Sequence, residues 1–116
     1  MANVTIWHNP RCSKSRNTAA LLKEKGIDAE VVKYLETPPS KEALVEVLKM
    51  LGLTARELMR TKEDIYKELN LKEVTDEDKL IEAMVQNPKL IERPIVIKDG
   101  KAAIGRPIEN IIDLLN

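Results

Sequence analysis

One stretch near the start narrows the choice of folds more than any other. Val4, Thr5, Ile6 and Trp7 form a short apolar run of strand type, and Asn9-Pro10-Arg11 breaks it, because proline has no N–H for a sheet ladder. From Ser13 the pattern turns helical, with Ala19, Leu21 and Leu22 on a mixed face and Gly26 placed to close the helix. Ala29 to Leu35, with Val31, Val32 and Tyr34, reads as a second strand. Two strands separated by a helix pair most economically in parallel, as a βαβ unit. The first third is expected to be α/β.

The middle of the chain has a different rhythm. Pro38-Pro39 ends the strand, Ser40 is a suitable N-cap, and Leu44, Val47, Leu48 and Leu51 recur at helical spacing behind it. Thr54 with Glu57, Thr61 with Asp64 and Thr75 with Asp78 show capping-box-like spacing. They predict two short helices and a longer one carrying Leu80, Ile81, Met84 and Val85, so about 40–87 is a helical block. After Asn87-Pro88 strands return: Ile95-Val96-Ile97, a turn at Asp99-Gly100, then Ala102-Ala103-Ile104, the pattern of a hairpin. Pro107 is expected to open a last helix along Ile108, Ile111, Ile112 and Leu115. With no repeat, low-complexity tract or linker, a single domain over 1–116 is expected.

Composition sets bounds on partners. A chain of 116 residues with 43% hydrophobic content suits one core. Lysine plus arginine and aspartate plus glutamate both number 19, so no global field draws the protein to nucleic acid or to an anionic membrane. A single cysteine excludes an internal disulfide and suits a reducing compartment, which makes cytoplasmic residence the expectation. No apolar run approaches the roughly 18–20 residues that span a bilayer.

That cysteine, Cys12, falls where the helix begins, and unpaired N–H groups with the positive dipole end favour a thiolate there. Cys12-Ser13-Lys14-Ser15 is a Cys-X-X-Ser arrangement whose Ser15 hydroxyl, one turn on, is placed to donate toward the sulfur. His8, Arg11, Lys14 and Arg16 make the loop electropositive. A lone cysteine is otherwise an inert apolar filler, but a filler needs neither a proline-broken turn nor several cations. His8, the sole histidine, is expected to orient and tune the loop rather than to transfer protons. One Cys and one His do not make a four-ligand zinc site, so no metal is expected.

Three arginines lie at element edges outside the loop: Arg60, Arg93 and Arg106. Arg93 and Arg106 precede Pro94 and Pro107, which pushes them to extended geometry. If the later strands pair with the first unit, their loops can face Cys12, with Arg60 arriving from the helical block. Planar guanidinium groups bind tetrahedral oxyanions in bidentate fashion and offset the charge that a thiolate meets when it attacks a dianion.

The run His8-Asn9-Pro10-Arg11-Cys12-Ser13-Lys14-Ser15-Arg16-Asn17-Thr18, with Arg93-Pro94-Ile95 and Gly105-Arg106-Pro107 downstream, resembles the glutaredoxin-coupled arsenate reductase (ArsC) family. The likeness runs from about Val4 to Leu115, takes in Tyr34 to Pro39 and Arg56 to Arg60, and is nearest to an arsenate-reductase-like bacterial subgroup. It implies a thioredoxin/glutaredoxin-like mixed sheet with helices on both faces, an inserted helical block, and a cis proline at Pro94 facing the thiol. By the same resemblance Cys12 is the nucleophile, Arg60, Arg93 and Arg106 hold arsenate, and His8, Ser15 and Arg16 support the thiolate. Glutathione is then the co-substrate and glutaredoxin the partner of a monomer with no bound cofactor. The chain departs from the arsenical-resistance members in placing Arg11 and Lys14 around the cysteine, where they carry smaller residues. Two other readings stand beside this one: a monothiol glutaredoxin-like oxidoreductase acting on glutathione mixed disulfides, and a non-enzymatic Spx-like regulator. The Cys-X-X-Cys switch of that regulator is missing here, because Ser15 holds the second position.

Overall fold

The computed structural model describes residues 4–115. Met1 to Asn3 and Asn116, part of the domain expected over 1–116, lie outside that range. The contacts divide the chain into two compact units, one made of the residues up to Thr37 with those from Arg93 onward, the other of Pro38–Glu92.

The first unit is a four-stranded mixed sheet with helices. Strands β1 (Val4–Trp7), β2 (Glu30–Val32), β3 (Ile95–Lys98) and β4 (Lys101–Ile104) lie in the order β2-β1-β3-β4. β1 runs parallel to β2 and antiparallel to β3, and β3 and β4 form the expected hairpin. Asp99 and Gly100 turn that hairpin with φ of 50° and 78°, the positive values that a tight two-residue turn requires. Helix α1 (Ser13–Glu24) connects β1 to β2, and α6 (Glu109–Leu115) follows β4. One sheet face carries Val4, Ile6 and Val96, and against it pack Leu22 of α1 and Ile111 of α6, all nearly inaccessible. Each such side chain contributes roughly 1.5–3 kcal/mol by leaving water. Gly26 closes α1 as expected: at φ 72° its N–H reaches the Lys23 carbonyl at 3.0 Å, and Ile27 N–H reaches Leu22 O at 2.9 Å.

Two elements are shorter than the sequence predicts. β2 stops at Val32 because the N–H groups of Glu36 and Thr37 both turn back to the Lys33 carbonyl, at 2.9 Å each. The last helix begins at Glu109 rather than at Pro107, whose peptide bond to Arg106 is cis.

The second unit is helical: α2 (Lys41–Leu51), α3 (Ala55–Leu58), α4 (Asp64–Glu68) and α5 (Glu77–Gln86), with 3₁₀ turns at Leu71–Glu73 and Pro88–Leu90. Leu44, Val47 and Leu48 of α2 and Leu80, Ile81 and Met84 of α5 are buried, as their spacing predicts. Ser40 caps α2, and Thr54 with Glu57 forms a complete capping box on α3. The caps expected at Thr61 and Thr75 move along the chain: Glu63 precedes α4 with no side-chain cap bond, while the Asp76 carboxylate accepts from the N–H groups of Asp78 and Lys79. Arg56 ties the unit together, donating to the Tyr66 hydroxyl at 2.5 Å and to the carbonyls of Leu71 and Val74.

Candidate active site

The turn that presents the thiol is built by Asn9 and Pro10. Proline supplies the fixed φ of the second turn position, Cys12 N–H closes the turn on the Asn9 carbonyl at 3.0 Å, and the Asn9 side chain accepts from Arg11 N–H at 3.0 Å. Cys12 then occupies the N-cap of α1, with φ −96° and ψ 123°, and its carbonyl takes the first helical bond from Arg16 N–H at 2.9 Å. The free thiol belongs to a residue only 9% exposed.

Burial by itself pushes this thiol up. The backbone N–H groups of Ser15 and Lys14, then the hydrogen bond and charge of Arg93, more than reverse that push, so Cys12 titrates below an ordinary thiol. The cap is electrostatic in character, since the cysteine side chain makes no cap hydrogen bond of full length and angle. Arg106 adds a direct contact, its Nη2 donating to Cys12 Sγ at 3.2 Å. The same guanidinium donates from Nε to the Arg93 carbonyl at 2.7 Å, which joins the two arginine loops.

Gly105, which the sequence offers only as part of the Gly105-Arg106-Pro107 motif and with no role of its own, allows that junction. Its N–H donates to the Pro94 carbonyl at 2.9 Å, and a Cβ at this position would stand 2.7 Å from Thr18 Oγ1 and 2.8 Å from Pro94 Cγ. Only glycine permits so close an approach of the end of β4 to α1 and to the cis Arg93–Pro94 peptide. Thr18 has no freedom to move aside, being fully buried with its hydroxyl donating to the Lys14 carbonyl at 3.0 Å. An isolated glycine before Arg106, outside any turn, was the available signal.

The supporting residues act through the loop. Ser15 Oγ lies 2.6 Å from His8 Nδ1 and accepts from Asn9 N–H at 3.0 Å. Its hydroxyl thus holds the loop instead of aiming at the sulfur, and its own pull on the thiol comes from its backbone N–H. Arg16 Nη1 donates to the Pro10 carbonyl at 3.0 Å, so this side chain also clasps the turn. Burial, then the charges of Lys33 and Arg16, hold His8 below its ordinary pKa, which keeps the imidazole neutral near pH 7.

Arg60 belongs to the helical unit. Met59 and Ile91 form an isolated antiparallel bridge there, with Arg60 N–H on the Leu90 carbonyl at 2.7 Å. That pairing sets the Arg60 guanidinium 3.1 Å from Glu92 and 3.6 Å from Glu63. Among the described residues no group of three or more His, Cys, Asp or Glu side chains is placed to hold a metal ion, and no helix is long and apolar enough to cross a membrane.

Known proteins bear on this arrangement. An uncharacterized protein of Escherichia coli K12, YfgD, is 60% identical over 114 residues, which cover 97% of this chain and 96% of that one. The arsenate reductase of Neisseria meningitidis serogroup A is 55% identical over 113 residues, covering 96% and 97% of the two chains. The solved structure of an arsenate reductase from Vibrio cholerae superposes with a TM-score of 0.92 at 52% identity, over 97% of this chain and 98% of that one. These likenesses carry the thioredoxin/glutaredoxin-like assignment of the mixed sheet and its flanking helices. The profile of the ArsC family matches residues 7–114, and the chain therefore belongs to the ArsC family, as an oxidoreductase of that type.

Proposed function

We propose that this protein reduces arsenate to arsenite with glutathione as reductant and glutaredoxin as partner, Cys12 being the nucleophile. One observation carries the reading: a thiol with a lowered pKa stands at a helix N-terminus with the Arg106 guanidinium 3.2 Å from its sulfur. A thiolate that receives an anionic substrate needs such a cation beside it, and the fork of Arg106, with Arg93 alongside, suits an oxyanion's paired oxygens.

In the first step the Cys12 thiolate attacks arsenic, an S–As bond forms and an As–OH bond breaks, the hydroxyl leaving as hydroxide or, with a proton taken from solvent, as water. Glutathione thiolate then attacks Cys12 sulfur. The S–As bond breaks with its electron pair on arsenic, so As(V) becomes As(III) and departs as arsenite. The two sulfurs, having lost two electrons, are left as a mixed disulfide. A thiol of glutaredoxin attacks the glutathione sulfur and returns Cys12 as thiolate. An outside thiol is required by stoichiometry, because the chain holds no second cysteine to resolve the intermediate.

The test is NADPH consumption coupled through glutathione reductase, glutathione and glutaredoxin, with and without arsenate. An arsenate-dependent rate that Cys12→Ser abolishes is expected. Arg93→Ala and Arg60→Ala, the latter chosen on the family resemblance, are expected to cripple the arsenate reaction while sparing exchange with a glutathione mixed disulfide. If the wild type consumes NADPH at one rate whether or not arsenate is present, the assignment passes to disulfide exchange.

A further inference from the structure

The loop before Cys12 has a second face. Asn9, Pro10 and Arg11 line a cavity of about 240 Å³ together with Lys33, Leu35 and Glu36, and His8 also borders it. The two groups of residues are tied together: His8 N–H continues the β1–β2 ladder to the Val32 carbonyl at 2.8 Å, and the turn closed by Glu36 N–H on the Lys33 carbonyl at 2.9 Å presents Lys33 and Glu36 from one loop. Leu35 keeps 37% of its surface in solvent, an apolar patch in a charged rim. Arg11, Lys33 and Glu36 enter no ion pair among the described residues. The Lys33 charge is felt locally, since it helps to hold the neighbouring His8 imidazole neutral.

The rim therefore offers two cations, one anion and an apolar stem. Glutathione at neutral pH has the inverse pattern, two carboxylates and one ammonium on an uncharged peptide stem with a thiol at its centre. Complementary signs on one rim select the ligand and its orientation. We propose that this cavity is the glutathione subsite, with Arg11 and Lys33 taking the two carboxylates, Glu36 the ammonium, and Leu35 and Pro10 the peptide stem. The tripeptide's sulfur is then held at the loop that ends on Cys12. Arg11 becomes a determinant of co-substrate binding.

The proposal rests on the glutathione dependence proposed above, and its test does not require turnover. S-Methylglutathione, which has no free thiol, is titrated onto the Cys12→Ser protein and followed through backbone amide NMR shifts. Arg11, Lys33, Leu35 and Glu36 are expected to respond, and Lys33→Glu to raise Kd at least fivefold, whereas Lys101→Glu, the same charge change on β4, leaves it within twofold. N-Acetyl-S-methylglutathione, which lacks the ammonium, is expected to bind more weakly to the wild-type rim and equally well to Glu36→Gln. Shifts centred elsewhere, equal Kd values for Lys33→Glu and Lys101→Glu, or no penalty for N-acetylation each overturn the subsite. A bound tripeptide without any arsenate-dependent NADPH consumption leaves the subsite standing and removes the arsenate reading. Arsenate reduction without binding at this rim does the reverse.

Discussion

Arg106 and Arg60 carry the same guanidinium and meet opposite partners. In the sheet unit Arg106 sets Nη2 against Cys12 Sγ at 3.2 Å while its Nε grips the Arg93 carbonyl. In the helical unit Arg60 lies 3.1 Å from Glu92 and 3.6 Å from Glu63, two carboxylates that answer its charge. An arginine's effect is decided by what the fold places within about 4 Å of it, not by its presence in the sequence. One directs a positive field at a sulfur, and the other settles into an ion-pair cluster.

Alanine at each position sharpens that contrast. Arg106→Ala removes the donor to sulfur and the link between the two arginine loops, and arsenate kcat/KM is expected to fall by about 100-fold, as for loss of a charged donor to a reacting anion. The pH profile of Cys12 alkylation by iodoacetamide should move to higher pH in the same protein. Arg60→Ala, besides the loss of arsenate reduction expected above, should show in unfolding: Glu92 and Glu63 lose their shared partner, at a cost of about 1 kcal/mol in a urea titration. An alkylation profile unmoved by Arg106→Ala would break the comparison, because it would reduce Arg106 to a structural tie.

Gly105→Ala tests the support beneath Arg106. The added methyl would meet Thr18 Oγ1 at 2.7 Å and Pro94 Cγ at 2.8 Å, both in buried residues. Overpacking of this kind costs about 1–3 kcal/mol. The readout beyond stability is the sulfur: displacing β4 from α1 moves Arg106, so alkylation of Cys12 should shift in the direction seen with Arg106→Ala and by less. A stability loss with an unaltered alkylation profile would show that Gly105 serves packing alone.

How far these features were legible in the sequence depended on how local they were. The closure of α1 by Gly26, the capping box of Thr54 and Glu57 and the Asp99-Gly100 turn each rest on residues within a few positions of one another, and each is present. Where two capping residues compete side by side the pattern was ambiguous: Thr75 has the box spacing, yet the carboxylate of Asp76 is the stronger acceptor and takes the N–H groups of α5. The sequence overextends β2 because Tyr34 and Leu35 continue a strand-like run, while the deciding bonds are backbone turns to Lys33 that no side chain announces. In the candidate site, Cys12 and its helix N-terminus were readable from the strand–proline–helix order. The approach of Arg106 to the sulfur joins residues far apart in the chain, and the sequence reached it only through the condition that the later strands pair with the first unit and through the motif resemblance. The grip of Arg16 on the Pro10 carbonyl and the fit of Gly105 against Thr18 depend on side-chain direction and on packing, which spacing along the chain does not encode.

The smallest effect concerns the thiol's protonation and its bearing on folding. Cys12 titrates below an ordinary thiol in the folded chain, whereas in the unfolded chain it returns to the ordinary thiol value. Between those two values the unfolded state binds more protons than the native one, so stability rises with pH there. The contribution is present in full above the unfolded thiol's pKa and is lost as pH falls through the folded one. Removing the group isolates it: the stability difference between wild type and Cys12→Ser, measured by urea unfolding under reducing conditions at steps from about pH 6 to 9, should grow in favour of wild type as pH rises and then level off. The slope should correspond to less than one proton, because burial opposes the backbone and arginine contributions. Arg106→Ala should flatten it, and Arg60→Ala should leave it as it is, since Glu92 and Glu63 already answer that guanidinium within its own unit. A slope of the opposite sign would mean that burial, and not the helix N-terminus with its arginines, governs sulfur number 12.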